Sequence, residues 1–241
     1  MFLVDQHLCN FTKVDPRFLF TVSETNRYWT GGIPEQSQIN WMCETFGSNS
    51  GAALDIGAHC GTWTVALAKS FGSVVAFEPN KTVHNVLCAN LALRQLENVN
   101  ASHKALSSTN GSADYFYRSP DGGGNGIERL NPEIDAVVPT CTVKKITLDE
   151  FVAKKFNKHR IAFIKIDVEG HELDVLKGAT ETIGSHKPAI VVESWGEFRE
   201  NDGIPSISLR KELFGYIESQ LDYKIRGVIG HSEMFLCTPN I

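Results

Sequence analysis

The sequence predicts a doubly wound α/β fold, with a mostly parallel sheet covered by helices and an antiparallel hairpin at its C-terminal edge. Three observations predict it. Five short apolar, β-branched runs, at 52–56, 73–77, 99–105, 161–166 and 189–192, alternate with segments of helical spacing. The first run enters a turn, Gly57 to Gly61, that opens a helix. Two more runs, 223–229 and 233–237, follow the last helix with a short connection between them, as a hairpin requires. The 241 residues are enough for one large domain with a sizeable core, and the chain reads as a single domain.

Composition narrows the class. The chain is 42% hydrophobic and 21% charged, with a net charge of −5. It has no basic tail, so nucleic acid is not an expected partner. Cys9, Cys43, Cys60, Cys88, Cys141 and Cys237 are scattered without a C-x-x-C pair, which speaks against a zinc site or a disulfide framework. The opening M-F-L-V-D-Q-H lacks a basic region, and no apolar run approaches a membrane span. These features lead to the expectation of a cytoplasmic protein with no membrane partner. Nothing in them indicates an oligomeric state.

Residues 1–48 read as an N-terminal arm and helix. The arm is apolar without a clean period, Tyr28 to Gly32 reads as a loop, and a helix is expected from Pro34 to Phe46 with proline in its first turn. The strand at 52–56, a helix from Thr62 to Ala68, the strand at 73–77 and a helix from Lys81 to Leu93 follow. The third strand, 99–105, ends in Leu106-Ser107. Residues 108–146 break the alternation. Strands at 114–117 and 137–143 flank a glycine loop, Asp121 to Gly126, and form a β-rich insertion that reads as an acceptor lid or as a plain surface loop. Thr147-Leu-Asp-Glu150 is a capping box, so a helix starts there. The fourth strand, 161–166, enters Asp167-Val-Glu169-Gly-His171-Glu172, and a helix begins at Leu173. The fifth strand ends in Glu193, and Ser208 to Gln220 is an amphipathic helix before the hairpin.

The first turn carries ligand chemistry. A dinucleotide fingerprint from Gly57 needs glycines at 59 and 62, where this chain has His59 and Thr62. The pattern present is D-x-G-x-x-x-G, made by Asp55, Gly57 and Gly61 around Ala58 and His59. An acid before the turn suits a cofactor bearing an ammonium, such as S-adenosylmethionine, and not a pyrophosphate. Glu78 lies 21 positions after Gly57, at the end of the second strand, where a carboxylate can accept from both ribose hydroxyls. Pro79 and Asn80 join it, and the turn at Leu106 and Ser107 is expected beside the adenine. The same features also occur in ordinary strand–helix turns.

A second cluster comprises Asp167, Glu169, His171, Glu172 and Glu193. Ligands of open α/β sheets bind outside the carboxyl ends of the strands, so these residues should face the crevice of Asp55 and Glu78. Imidazole titrates near neutrality, which makes His171 the first choice as base for an acceptor hydroxyl, with Asp167 as base, ammonium ligand or acceptor guide. Asp167 and Glu193 could also share a Mg²⁺ ion. Glu169 and Glu172 also fit a first helical turn, where the helix dipole favours acids.

The strings L-D-I-G-A-H-C-G-T at 54–62, V-V-A-F-E-P-N at 74–80, T-L-D-E-F at 147–151, I-K-I-D-V-E-G-H-E-L-D-V-L-K-G-A at 164–179 and P-A-I-V-V-E at 188–193 resemble the FkbM-type methyltransferases. The resemblance covers about residues 50–195 and implies a class I, S-adenosylmethionine-dependent enzyme with a Rossmann-like sheet. It implies methyl transfer, most often to oxygen on sugars or natural products. It assigns Asp55, Gly57, Gly61, Glu78 and Asp167 to the cofactor. The chain departs from the family at His59, where the family often has Asn. The expectation is an O-methyltransferase acting on a hydroxyl of a sugar, glycan or glycosylated natural product. Other readings are an N-methyltransferase of the same fold, a non-catalytic scaffold that kept the cofactor fold, and an NAD-dependent oxidoreductase, which the missing G-x-G-x-x-G disfavours.

Overall fold

The computed structural model describes residues 35–117, 125–127, 140–156 and 159–240. The expected arm at 1–34, with its Tyr28 to Gly32 loop and Pro34, lies outside these residues. So do most of the glycine loop and the start of the second insertion strand.

The elements follow the apolar periodicity. Helix α1 (Gln36–Phe46) precedes β1 (Ser48–Ile56), α2 (Thr62–Ser70), β2 (Phe71–Phe77), α3 (Lys81–Leu93) and β3 (Val99–Ser102). Then come β4 (Ala105–Leu106), β5 (Gly111–Phe116), β6 (Thr140–Ile146) and α4 (Leu148–Lys155). The chain continues through β7 (Ile161–Ile166), α5 (Glu172–Lys177), α6 (Thr180–His186), β8 (Ala189–Glu193), α7 (Ser206–Ser219), β9 (Tyr223–Gly227) and β10 (Met234–Pro239). The main sheet has seven strands in the order β3-β2-β1-β7-β8-β10-β9. The pairs from β3 to β8 are parallel, and β10 runs antiparallel to both β8 and β9. The C-terminal hairpin thus closes one edge as expected, with its second strand inserted next to β8.

Both faces of the sheet are buried, which is why its strands read as unbroken apolar runs. Leu54, Ile56, Val75, Phe77, Ile164 and Ile166 point to one core, which α4 to α7 complete. Ala53, Val74, Phe163 and Val191 point to the other, with Ile39 and Met42 of α1 and Trp63 and Leu67 of α2.

Two expectations are corrected. The run 99–105 is not one strand. The Lys104 N–H turns back to the Ser102 carbonyl, so Ala105 and Leu106 leave the main sheet and pair with Lys145 and Ile146. With β5 and β6 antiparallel, they make a separate three-stranded sheet, order β4-β6-β5, in place of a bare hairpin insertion. The helix expected from Leu173 is two short helices. A Cβ on Gly178 would lie 2.1 Å from the Ser107 carbonyl oxygen, and the chain bends at this close approach.

Candidate functional site

Sheet register builds the site. Ile56 is level with Phe77 on one side and with Ile166 on the other, and Ile166 is level with Val192. The next residue on each of these four strands is therefore Gly57, Glu78, Asp167 and Glu193. Parallel strands end on one edge, so the fold sets these four side by side.

The turn after β1 is built as the spacing predicts, but for a different reason. Gly57 has φ +79°, and a Cβ there would meet the Asp167 carbonyl oxygen at 1.7 Å. Gly61 has φ +95°, and its Cβ would meet Leu87 at 2.6 Å. Packing requires glycine at 57, and the left-handed backbone favours it at 61, before any ligand is considered. His59 takes the left-handed conformation without being glycine, φ +50°.

Glu78 clamps this turn to β2. One carboxylate oxygen accepts the His59 N–H at 2.9 Å, and the other accepts the Asn80 N–H at 2.8 Å. Burial pushes its carboxyl up to about 7, against the pull of those two amides. Its neighbours play structural parts. Asn80 is the N-cap of α3, accepting from the Thr82 and Val83 amides at 3.0 and 3.2 Å, and does not present its oxygen to the crevice. The Pro79 carbonyl faces the His103 ring at 2.9 Å, and the Ala58 N–H bonds the Phe77 carbonyl.

Asp55, the expected partner of a cofactor ammonium, is buried against protein groups. Its exposure is 0%, and its carboxylate takes the Thr64 hydroxyl at 2.5 Å and lies 3.7 Å from the Lys165 ammonium. Burial raises its carboxyl despite Lys165. The acid expected to bind cofactor is instead sealed beneath the turn. Leu106 and Ser107, expected beside the adenine, also pack against protein groups. Leu106 belongs to the main core, and Ser107 is buried with its hydroxyl 3.0 Å from His171 Nε2. Because β3 ends early, the chain beside Glu78 is Ser102 to Lys104, with the Glu78 N–H on the Ser102 carbonyl.

The acid side of the row centres on a group that sequence reading passed over. Lys165 is buried, and its ammonium donates to the Gly57 carbonyl at 2.9 Å and pairs with Asp167 at 3.1 Å. Burial opposes its charge, but Asp167 and Asp55 outweigh it and hold the ammonium above its ordinary range. Burial likewise works to raise the Asp167 carboxyl, but Lys165 and a hydrogen bond from Glu193 outweigh it and hold it low. Glu193 goes the other way: burial and the adjacent Asp167 charge hold its carboxyl well above the usual range. The same surroundings thus favour the anion on Asp167 and the neutral form on Glu193. Where the sequence offered a Mg²⁺ ion, the two carboxyls bond each other and Lys165 supplies the positive charge. The signal for Lys165 was present as one lysine inside the apolar run I-A-F-I-K-I.

His171, the expected base, makes a contact within the protein. It is the N-cap residue of α5, its ring is buried, and that ring faces Ser107, just past β4. Glu172 folds back so that one oxygen accepts the Val168 and Gly170 amides, both at 3.1 Å, which closes the loop after β7. Burial pushes its carboxyl up to about 7. Glu169 sits in this loop at φ +58°, and its charge acts on Glu193.

Beyond Glu193 the site opens into a cleft lined by Gly170, Glu193, Trp195, Leu209 and Leu213. The Arg199 guanidinium lies 5.1 Å from the Trp195 ring centre. On another side, Glu35, Glu193 and His231 bring potential metal-ligand atoms within 4.8 Å of one another. Each already has a protein partner. Glu35 accepts the Trp63 indole N–H at 2.7 Å and lies 3.3 Å from His231, and Glu193 bonds Asp167. The trio is a clasp joining the start of α1 to the β9–β10 turn. Among the described residues, no helix is long and apolar enough to cross a membrane.

The profile of the methyltransferase FkbM domain matches residues 55–225. The hexuronic acid methyltransferase AglP of Haloferax volcanii is 33% identical over 175 residues, covering 71% of this chain and 68% of the relative. The methyltransferase sdnD of Sordaria araneosa is 28% identical over 170 residues, covering 59% of this chain and 65% of the relative. Among solved structures, a methyltransferase FkbM from Methylobacillus flagellatus matches with TM-score 0.52 at 18% identity, covering 79% of this chain and 44% of that one. An O-methyltransferase from Bacillus cereus, solved with SAH, matches with TM-score 0.54 at 14% identity, covering 85% and 81%. These structural likenesses show the fold, that of class I methyltransferases. The family match across most of the chain, the relative from Haloferax volcanii and the glycine turn with its acid at the end of β2 agree: the chain is a methyltransferase and belongs to the FkbM methyltransferase family.

Proposed function

We propose that the protein is an S-adenosylmethionine-dependent O-methyltransferase acting on a hydroxyl of a sugar, a glycan or a glycosylated natural product. One observation carries the reading: the register that puts Gly57, Glu78, Asp167 and Glu193 in one row at the strand ends. The residues fit the cofactor. Each Glu78 oxygen accepts one amide and keeps a lone pair for a ribose hydroxyl. Gly61 starts α2 with no side-chain cap, which leaves helix N–H groups beside the turn. Bound there, S-adenosylmethionine supplies an activated methyl on a sulfonium.

The chain's own residues do the rest. Glu78 fixes the ribose, and the turn from Gly57 to Gly61 supports the nucleoside. Asp167 is ionised and its side chain is 28% exposed. It stands between the cofactor turn and the Trp195 cleft, so we assign the acceptor hydroxyl's proton to the Asp167–Glu193 pair and not to His171. Positioning carries much of the rate, because the methyl donor is already reactive. A sugar acceptor is favoured by the relative named for hexuronic acid.

The test is calorimetry with S-adenosylmethionine and S-adenosylhomocysteine, followed by transfer of labelled methyl to neutral, amino and uronic sugars. Micromolar binding of both, on the order of −8 kcal/mol, is expected, with label appearing on a sugar oxygen. If neither ligand binds, the cofactor assignment is wrong. If both bind but label reaches only nitrogen acceptors, the O-methyl assignment is wrong.

A further inference from the structure

Lys165 is the group in this site that neither the turn nor the strand-end acids account for. It lies on β7 level with Asp55 of β1, in the interior of the sheet. Burying an ammonium costs several kcal/mol unless partners replace its water. Its partners here belong to two different parts of the site. The Gly57 carbonyl, at 2.9 Å, is the first peptide of the cofactor turn. The Asp167 carboxylate, at 3.1 Å, is the acid on the acceptor side. Asp55 is the third neighbour, at 3.7 Å, too far for a hydrogen bond, and its Oδ1 atom is buried without a hydrogen-bond partner. One charged group therefore spans the cofactor turn and the proton-sharing pair.

We propose that Lys165 is a positioning residue that keeps Asp167 ionised and assigns the shared proton of the Asp167–Glu193 pair to Glu193, while anchoring the same pair to the cofactor turn through Gly57. The role rests on the methyltransfer reading above, since it concerns the acid that faces the acceptor. The physical case is asymmetry. Two carboxyls that hydrogen-bond each other hold one proton between them, and nearby charges decide where it stays. Asp167 has the ammonium in contact. Glu193 has instead the charges of Asp167, Glu169 and Glu35. His59, on the cofactor turn, also favours the Asp167 anion. His231, on the β9–β10 turn, is held above its ordinary range mainly by its Glu35 hydrogen bond, with Asp167 adding to the effect. Asp55 competes with Asp167 for the ammonium from below. Lys165 touches both the pair, at Asp167, and the Gly57 peptide.

Carbon-detected NMR titration of the side-chain carboxyls tests this in the free protein, with Asp167→Asn and Glu193→Gln used to assign the two signals. In the wild type, Asp167 should stay ionised down to acidic pH while Glu193 titrates far above it. In Lys165→Met the Asp167 midpoint should rise by at least about one pH unit and the two midpoints should draw together. An Asp167 midpoint unchanged in Lys165→Met overturns the proposal. If that variant fails to fold, Asp55→Asn, nearly isosteric, answers the same question. It leaves the ammonium with a single acid, so the Asp167 midpoint should fall or hold, and a rise overturns the proposal. The titration uses no cofactor, so failure to bind S-adenosylmethionine would count against the proposed function alone.

Discussion

At the scale of single residues, chemistry and packing divide the same short turn between them. Gly57 is fixed by a carbonyl, Gly61 by its left-handed backbone, and Asp55 by a threonine and a lysine. Glu78 retains both structural and ligand-binding capacity, and its titration gives a sharp expectation. Its carboxyl, raised to about 7 by burial, is protonated at pH 6 and ionised at pH 8. Ribose hydroxyls donate to the ionised form, so binding should favour it. Affinity for S-adenosylhomocysteine should then rise roughly tenfold from pH 6 to pH 8, following the ionised fraction. In Glu78→Gln the affinity should be weaker at pH 8 and lose most of that pH dependence. A wild-type affinity flat across this range, measured by calorimetry, would remove Glu78 from the ribose site.

At the scale of elements, local signals held wherever the deciding contacts were local. Thr147 illustrates both success and limit. Its hydroxyl accepts the Glu150 N–H at 3.1 Å, as a capping box requires. The return bond is not made. The Thr147 N–H goes to Asn110 at 2.9 Å, and the Glu150 carboxylate takes Asn110 and Lys154. Half the motif is satisfied by a residue 37 positions away, in the turn between β4 and β5. Thr147→Ala should lower unfolding free energy in urea by about 1 kcal/mol, while Thr147→Ser should retain most of it. Equal losses in the two variants would show that the hydroxyl is not the cap. The same division explains what was legible. Strand ends, the glycine turn, α3 and the C-terminal hairpin follow from apolar period and turn residues within a few positions. The site row follows too, because parallel strands must end on one edge. What was not legible depends on distant partners. The break after Ser102 is fixed by pairing with β6. The split at Gly178 is fixed by the Ser107 carbonyl. The contacts of Asp55 with Lys165 and of His171 with Ser107 were not legible because these partners lie 110 and 64 positions away in sequence.

At the scale of the whole molecule, the site is a concentration of buried acids that the fold tolerates, and this should set how stability varies with pH. Glu78 and Glu172 both have carboxyls pushed up to about 7 by burial, from an ordinary value of 4.5. A raised folded-state value means that the native protein keeps these protons while the unfolded chain releases them. Stability from the two groups is therefore full below about 4.5 and is lost as pH rises towards about 7. Glu193, also raised, acts with the same sign, with its loss extending to higher pH. Asp167, held low, has the opposite sign, but its contribution is already complete above its ordinary value of 3.8. The unliganded protein should accordingly unfold at a higher temperature at pH 5.5 than at pH 8. Glu172→Gln should reduce the difference without loosening its loop, because the Val168 and Gly170 amides both bond the one oxygen that glutamine retains as a carbonyl. Thermal unfolding across pH 5 to 8 measures this directly, and a melting temperature that rises with pH in the wild type would overturn it. A ligand that binds only the native state adds stability by mass action. If the proposed ribose contact is made by ionised Glu78, saturating S-adenosylhomocysteine should raise the melting temperature more at pH 8 than at pH 5.5. Glu78's share of the pH-sensitive loss in the free protein and its recovery on binding would then have one cause, the enclosed carboxylate at the end of β2.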